Sequence, residues 1–242
     1  MAVRVFAISD LHLSFSTDKP MDVFGDHWKD HHIHLEANWK ERISHDDLIL
    51  LPGDLSWAMN LDKAATDLEW LANLPGRKII LKGNHDYWWT SPSKMKSELP
   101  EGIIPLQNSA YDAGEFIVAG SRGWMIPESD EYREEGEGSI LRREQIRLNL
   151  SLDAAENMRT ENKQIIAMMH YPPIVNGKRT DFSRILAERG VTLCVYGHLH
   201  SAPGTWGKKL DITVDGVEYR LVSSDYLGFE PLELHIGSDS IE

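Results

Sequence analysis

Short apolar runs that stop at polar clusters punctuate this chain. Val3-Arg4-Val5-Phe6-Ala7-Ile8 alternates and then meets Ser9-Asp10-Leu11-His12, and Asp47-Leu48-Ile49-Leu50-Leu51 meets Pro52-Gly53-Asp54. Lys78-Ile79-Ile80-Leu81 leads into Lys82-Gly83-Asn84-His85-Asp86, Gln164 to Met169 into His170-Tyr171-Pro172-Pro173, and Thr192 to Tyr196 into Gly197-His198-Leu199-His200. The length and β-branched content of these runs predict buried strands, the two prolines stop the fourth one, and Gly83 turns the backbone sharply before Asn84. Strand alternation places Asp10 and His12, two residues apart, on the same side of an extended backbone, where they can grip one ion together.

Between the runs, a helix is expected over Leu35 to Ile43. A second fits Leu61 to Leu74, where Leu61, Ala64, Ala65, Leu68, Leu71 and Ala72 form one apolar stripe before Pro75-Gly76. Further helices are expected around Ser93 to Glu98, over Ile140 to Met158, and from Asp181 to Arg189 with Gly190 closing it. Short strands are expected near Ile103 to Leu106 and Glu115 to Ala119. Leu210 to Val214 and Val217 to Val222 flank Asp215-Gly216, a hairpin signal, and Leu232 to Ile236 alternates as a last strand. The fold class is α/β, with parallel strands from early β-α-β units and a terminal antiparallel meander that completes or adds a sheet.

Two stretches lack a period. Residues 13 to 33 hold Pro20, Gly25, His27, His31 and His32, with His34 just after, and a connection this long is a functional loop or lid. A second metal site is conceivable there, but the spacing matches no standard ligand motif, and the histidines are expected to be solvated, some reaching toward the site entrance; His45 and His235 are expected at the surface. The acidic stretch Glu128 to Gly138 is expected to be an exposed loop.

In an α/β sheet, residues at the carboxyl ends of the strands meet in one crevice where ligands bind. The five tips offer Asp10, His12, Asp54, Asn84, His170, His198 and His200, with His85 and Asp86 beside them. Two carboxylates, an amide oxygen and four imidazoles exceed the ligand set of one ion, whereas two ions sharing a carboxylate would take four each.

Composition narrows the context. With 242 residues, 41% hydrophobic and 26% charged, the chain has a globular composition and is expected to form one domain over residues 1–242. Its 25 basic against 38 acidic residues give a formal charge of -13, which opposes non-specific binding to nucleic acid or anionic membrane. The one cysteine, Cys194, lies in an apolar run and reads as a core thiol. No signal peptide precedes the first strand and no apolar stretch approaches the roughly 18 residues of a membrane span, so a cytoplasmic protein is expected.

Asp10-Leu11-His12, Gly53-Asp54, Gly83-Asn84-His85-Asp86, His170 and Gly197-His198-Leu199-His200, in this order, resemble the signature blocks of the calcineurin-like metallophosphoesterase superfamily. The resemblance spans residues 10 to 200 and implies a four-layer α/β/β/α sandwich of two mixed sheets flanked by helices, with two transition-metal ions at the strand ends. It implies that Asp10, His12 and His200 hold the first metal, that Asn84, His170 and His198 hold the second, and that Asp54 bridges them. It further implies that His85, supported by Asp86, is the acid near the leaving group. Mixed nitrogen and oxygen ligation suits Mn, Fe, Zn, Co or Ni better than Ca.

Two such cations lower the pKa of a bridging water for in-line attack on phosphorus and neutralise the phosphoryl oxygens. The expected substrate is a small phosphomonoester or phosphodiester. The chain departs from the protein Ser/Thr phosphatase branch, which carries Asp-Arg-Gly after its Gly-Asp block and Glu after its Asn-His. Here Gly53-Asp54-Leu55-Ser56-Trp57 and Asn84-His85-Asp86 stand instead, so the phosphate-clasping arginine of that branch is missing from its place. Arg122, Lys178 or Arg179 could replace it, against a surface ion pair as the plainer role for each. Trp57, Trp88, Trp89, Trp124 and Trp206 lie near these blocks, where core or lid packing competes with stacking on a nucleotide base. The alternatives are a nuclease, disfavoured by the charge, and a non-catalytic scaffold, disfavoured by the complete ligand set.

Overall fold

Both faces of the main strands are apolar because both are covered. In the computed structural model the described residues are 3–127, 129, 132–160, 163–200 and 210–236. In chain order the strands are β1 (Val5–Ala7), β2 (Leu48–Leu51), β3 (Arg77–Ile80), β4 (Ile103–Pro105), β5 (Tyr111–Asp112) and β6 (Phe116–Ser121). They continue as β7 (Gln164–Met169), β8 (Val191–Tyr196), β9 (Ile212–Val214), β10 (Val217–Leu221) and β11 (Leu232–Leu234). The helices are α1 (His31–Arg42), α2 (Leu61–Asn73), α3 (Pro92–Glu98), α4 (Glu134–Met158) and α5 (Asp181–Glu188).

One sheet has the order β11-β1-β2-β3-β4 and the other β5-β6-β7-β8-β10-β9. In the first, β1 to β4 are parallel and β11 is antiparallel to β1. In the second, β6, β7, β8 and β10 are parallel, with β5 and β9 antiparallel at the edges. Alternation sorts the side chains into three cores. Phe6, Ile49 and Leu51 pack with Leu35, Trp39, Leu68 and Leu71 of α1 and α2. Val5, Ala7, Leu48 and Leu50 instead meet Val118, Ile166, Met168 and Val195 between the sheets, and Ile117, Ala167 and Cys194 meet α4 and α5 on the far side. Two mixed sheets back to back between helices make the four layers.

Local sequence explains the helix ends. Asn60 caps α2 by accepting a bond from the Lys63 N–H at 3.0 Å, and Thr180 with Ser183 forms a capping box at α5. Three expectations change. The helix expected from Leu35 starts at His31, preceded by 3-10 turns at Met21–Phe24 and Asp26–Trp28, because buried Met21 and Trp28 anchor the loop. The acidic loop is helical from Glu134, with a break at Glu135 and Gly136, while residues 128, 130 and 131 lie outside the described residues. The terminal strands are no plain meander, because β10 pairs parallel with β8 and β11 crosses to the first sheet. Among the described residues, no helix is long and apolar enough to cross a membrane.

Candidate metal centre

The sheets touch at their carboxyl ends, and the candidate ligands lie there. The Ser9 N–H donates to the Val222 carbonyl (2.7 Å) and the Ser224 N–H to the Ser9 carbonyl (2.9 Å), joining the segment after β1 to the segment after β10. The Asp10 and His12 N–H groups donate to the carbonyls of Gly53 and Asp54, each at 3.0 Å. Asp10, His12, Asp54 and His198 all have left-handed backbones, with φ of 56°, 46°, 52° and 72°. Asp10 and His12 therefore meet through a twisted loop, and strand alternation is not what aligns them.

Seven side chains converge. Asp10, His12 and His200 offer ligand atoms all within 4.8 Å of one another, and so do Asp10, Asp54 and His170. Asn84 Oδ1 lies 2.6 Å from His170 Nε2 and 3.0 Å from His198 Nδ1, which brings the amide and the remaining imidazole to the second group. Asp54 Oδ2 stands between the groups, 3.9 Å from His12 Nε2 and 3.4 Å from His170 Nε2.

Their electrostatics fit bound cations. Asp10 and Asp54 are buried, yet among the described residues no Lys or Arg pairs with either, and Asp54 Oδ2 and His12 Nδ1 have no hydrogen-bond partner. Buried carboxylates without a counter-charge are costly. Burial raises the Asp54 pKa, helped by the charges of Asp86 and Asp10. Burial pushes His170 down to about 3 and His198 to about 4, and lowers His12 strongly, so these imidazoles are neutral donors at pH 7. The Pro52 carbonyl lies 3.0 Å from His170 Nδ1 and the Asp225 carboxylate 3.2 Å from His200 Nδ1, which fixes tautomers with Nε2 free to ligate. Burial opposes a charge on His200, but the Asp225 hydrogen bond and the Asp10 and Asp225 charges outweigh it and raise its pKa.

His85 sits at the edge of this cluster. Its backbone N–H donates to Asp54 Oδ1 (2.8 Å), and its Nδ1 has no hydrogen-bond partner among the described residues. The expected support from Asp86 is not made. The Asp86 carboxylate instead accepts from the backbone N–H groups of Gly83 (2.7 Å), Asp54 (2.8 Å), Leu55 (2.9 Å) and Ser56 (3.3 Å), and from Trp88 Nε1 (2.9 Å). Trp57 packs on the imidazole, with ring centroids 4.3 Å apart, and stacks on His12 at 4.9 Å.

The remaining expectations divide. Arg122 is no surface ion pair. It is largely buried, bonded to Glu144 at 3.2 Å and stacked over Trp124 at 4.5 Å, while its carbonyl accepts from the His170 and Tyr171 N–H groups. Arg179 pairs with Asp215 at the surface, and Lys178 is exposed. His31 is not solvated: it is buried, with its two ring nitrogens 3.1 Å from the Trp28 carbonyl and 3.0 Å from the Leu11 carbonyl, which ties the 13–33 loop to the site. Trp88 is core and Trp206 lies outside the described residues. Sequence reasoning missed Asp225, Ser223, which donates to Asp10 Oδ2 at 3.1 Å, and the packing role of Trp57. The signal for the first two was Ser223-Ser224-Asp225 directly after the last parallel strand.

Known proteins give the same outline. Solved structures similar in fold include a phosphopantetheinyl hydrolase from Mycobacterium tuberculosis, at 15% identity and TM-score 0.57 over 99% of this chain and 98% of that one. A protein of unknown function from Aquifex aeolicus is similar at 16% identity and TM-score 0.52 over 96% of each chain. The Gene 66 protein of Mycobacterium phage D29 is 37% identical over 85 residues, a match spanning 34% of this chain and 40% of that relative. The family model for calcineurin-like phosphoesterases matches residues 3–202, which include every candidate ligand, and the chain belongs to that family.

Proposed function

We propose that the protein hydrolyses a small phosphomonoester or phosphodiester with the help of two transition-metal ions. The observation that carries this reading is the convergence of seven ligand-type side chains around two buried carboxylates that form no ion pair with Lys or Arg among the described residues. Asp10, His12 and His200 would hold one ion and Asn84, His170 and His198 the other, with Asp54 between them. Bound there, Mn, Fe or Zn supplies the Lewis acidity that activates water and neutralises phosphoryl oxygens.

The chain's own contribution centres on His85. Burial lowers its pKa, so its resting form near neutral pH is a neutral imidazole that donates one hydrogen bond. Its role is to donate that hydrogen bond to the departing oxygen as negative charge develops there. Only the imidazolium form, favoured at lower pH, can pass on a proton and return to the neutral ring. Trp57 keeps the ring in place by packing. Asp86 acts one step removed, by fixing the backbone of Gly83 and Asp54.

Turnover of p-nitrophenyl phosphate or its bis ester is expected with at least one of Mn, Fe, Zn, Co or Ni, and none with any of the five overturns the reading. His85→Asn is expected to lower kcat by about 10²- to 10⁴-fold while the metal content holds. Lost metal in that variant would make His85 a ligand instead.

A further inference from the structure

A cavity of about 550 Å³ is lined by Lys82, Trp89, Arg122, Arg143, Glu144 and Arg147 among others, with Lys82 two residues from the candidate ligand Asn84. Its walls are the tips of β3 and β6 closed by α4, so each sheet contributes one side. The charge balance there is one-sided. Three guanidinium groups converge on one oxygen of Glu144: Arg147 at 2.7 Å, Arg122 at 3.2 Å and Arg143 at 3.9 Å. Lys82 has no hydrogen bond or ion pair among the described residues, and Arg122 Nε is buried without an acceptor. On a chain of formal charge -13, this gathering of cations is a local reversal. Such a surplus of donors attracts an anion with several oxygens, and a phosphate offers enough to meet arginine and lysine together.

The cavity is coupled to the metal centre by the backbone. Lys82 stands two residues before Asn84, a stretch spanning at most about 7 Å. The Arg122 carbonyl accepts from the His170 N–H at 3.1 Å, so the two arms of the cavity end at the two residues that meet at 2.6 Å in the site. A phosphate in the cavity and a phosphate at the metal centre can therefore belong to one small molecule.

We infer that this cavity binds a second, non-scissile phosphate of the substrate, so that the protein acts on small molecules carrying two phosphate groups. The inference rests on the phosphoesterase reading for the scissile group only. Adenosine 3′,5′-bisphosphate and adenosine 5′-monophosphate, used as inhibitors of p-nitrophenyl phosphate turnover by the metal-loaded protein, test it. The bisphosphate is expected to inhibit with a Ki about tenfold lower than the monophosphate. Lys82→Gln and Arg147→Gln should each bring the two Ki values together, and Lys82→Arg should keep them apart.

Equal Ki values in the unaltered protein, or a ratio that survives in both neutralised variants, overturns the inference. If neither p-nitrophenyl phosphate nor its bis ester is turned over with any of the five metals, the phosphoesterase reading fails, and the ratio of calorimetric Kd values for the same two nucleotides decides the cavity by itself. A bisphosphate preference that is lost in the glutamine variants supports it there, and no preference rejects it.

Discussion

Asp86 and His85 are neighbours with separate duties. The carboxylate of Asp86 is buried beneath five N–H donors, four from the backbone and one from Trp88, and has nothing left for the imidazole beside it. An amide offers one acceptor oxygen and turns its own N–H groups toward those donors. Asp86→Asn is therefore expected to cost about 3 kcal/mol of stability in urea unfolding, while His85→Asn costs less than about 1. Equal losses would return Asp86 to a partnership with His85. The sequence shows both residues in the same tetrapeptide, but hydrogen-bond partners from 30 to 32 positions away decide what each does. Trp57 is similar: its indole ring could have served a ligand base, and it packs instead between His12 and His85.

At the scale of elements, the strand tips are held at close quarters by glycine. Gly83 lies so near Asp54 that an added Cβ would overlap the Asp54 carboxylate oxygen Oδ1 and backbone nitrogen, and at Gly53 a Cβ would come within 2.7 Å of His170 Nδ1. Gly83 is needed for this approach, not for an unusual φ. Gly83→Ala is expected to destabilise by about 2 to 3 kcal/mol and to reduce the metal retained after dialysis, because the added Cβ presses directly on the central carboxylate. Full retention would show that the loop gives way without moving Asp54. The four non-glycine residues with positive φ at the site cost about 1 kcal/mol or more each, and the bonds between the loops after β1 and β2 hold them there. The 13–33 loop belongs to the same arrangement, pinned through Trp28 and His31 against the segment after β1.

Across the whole molecule, sheets covered on both sides leave some polar groups deep inside. Lys78 in β3 is 1% exposed and donates to the carbonyls of Ala72 and Leu74 at the end of α2. Burial lowers its pKa to about 8, below the roughly 10.4 of an unfolded lysine. Between those values the unfolded chain holds a proton that the folded chain has lost, so this residue's contribution to stability improves as pH rises through the window and is constant and least favourable below it. Relative to Lys78→Met, the protein is expected to gain up to about 3 kcal/mol between pH 8 and pH 10.5 in urea unfolding. A flat difference would show that the two carbonyls fully replace water. At this same scale the cationic cavity stands out, since Lys82, Arg122 and Arg147 come from different elements and a formal charge of -13 hides them.

What the sequence determined by itself was the main strands, because both-sided burial writes continuous apolar runs, and the order of polar tips that mark the family; the two-residue edge strand β5 was not among those expected. It showed the ligand types because each lies within a few residues of the strand that carries it. The tertiary structure decided the rest. The division into two sheets, the parallel placement of β10, the pairing of Asp225 with His200 and of Ser223 with Asp10, the anchoring of His31 and the gathering of cations beside Asn84 all join residues distant in the chain. Such contacts depend on how the layers stack and where loops cross, and no local period records that.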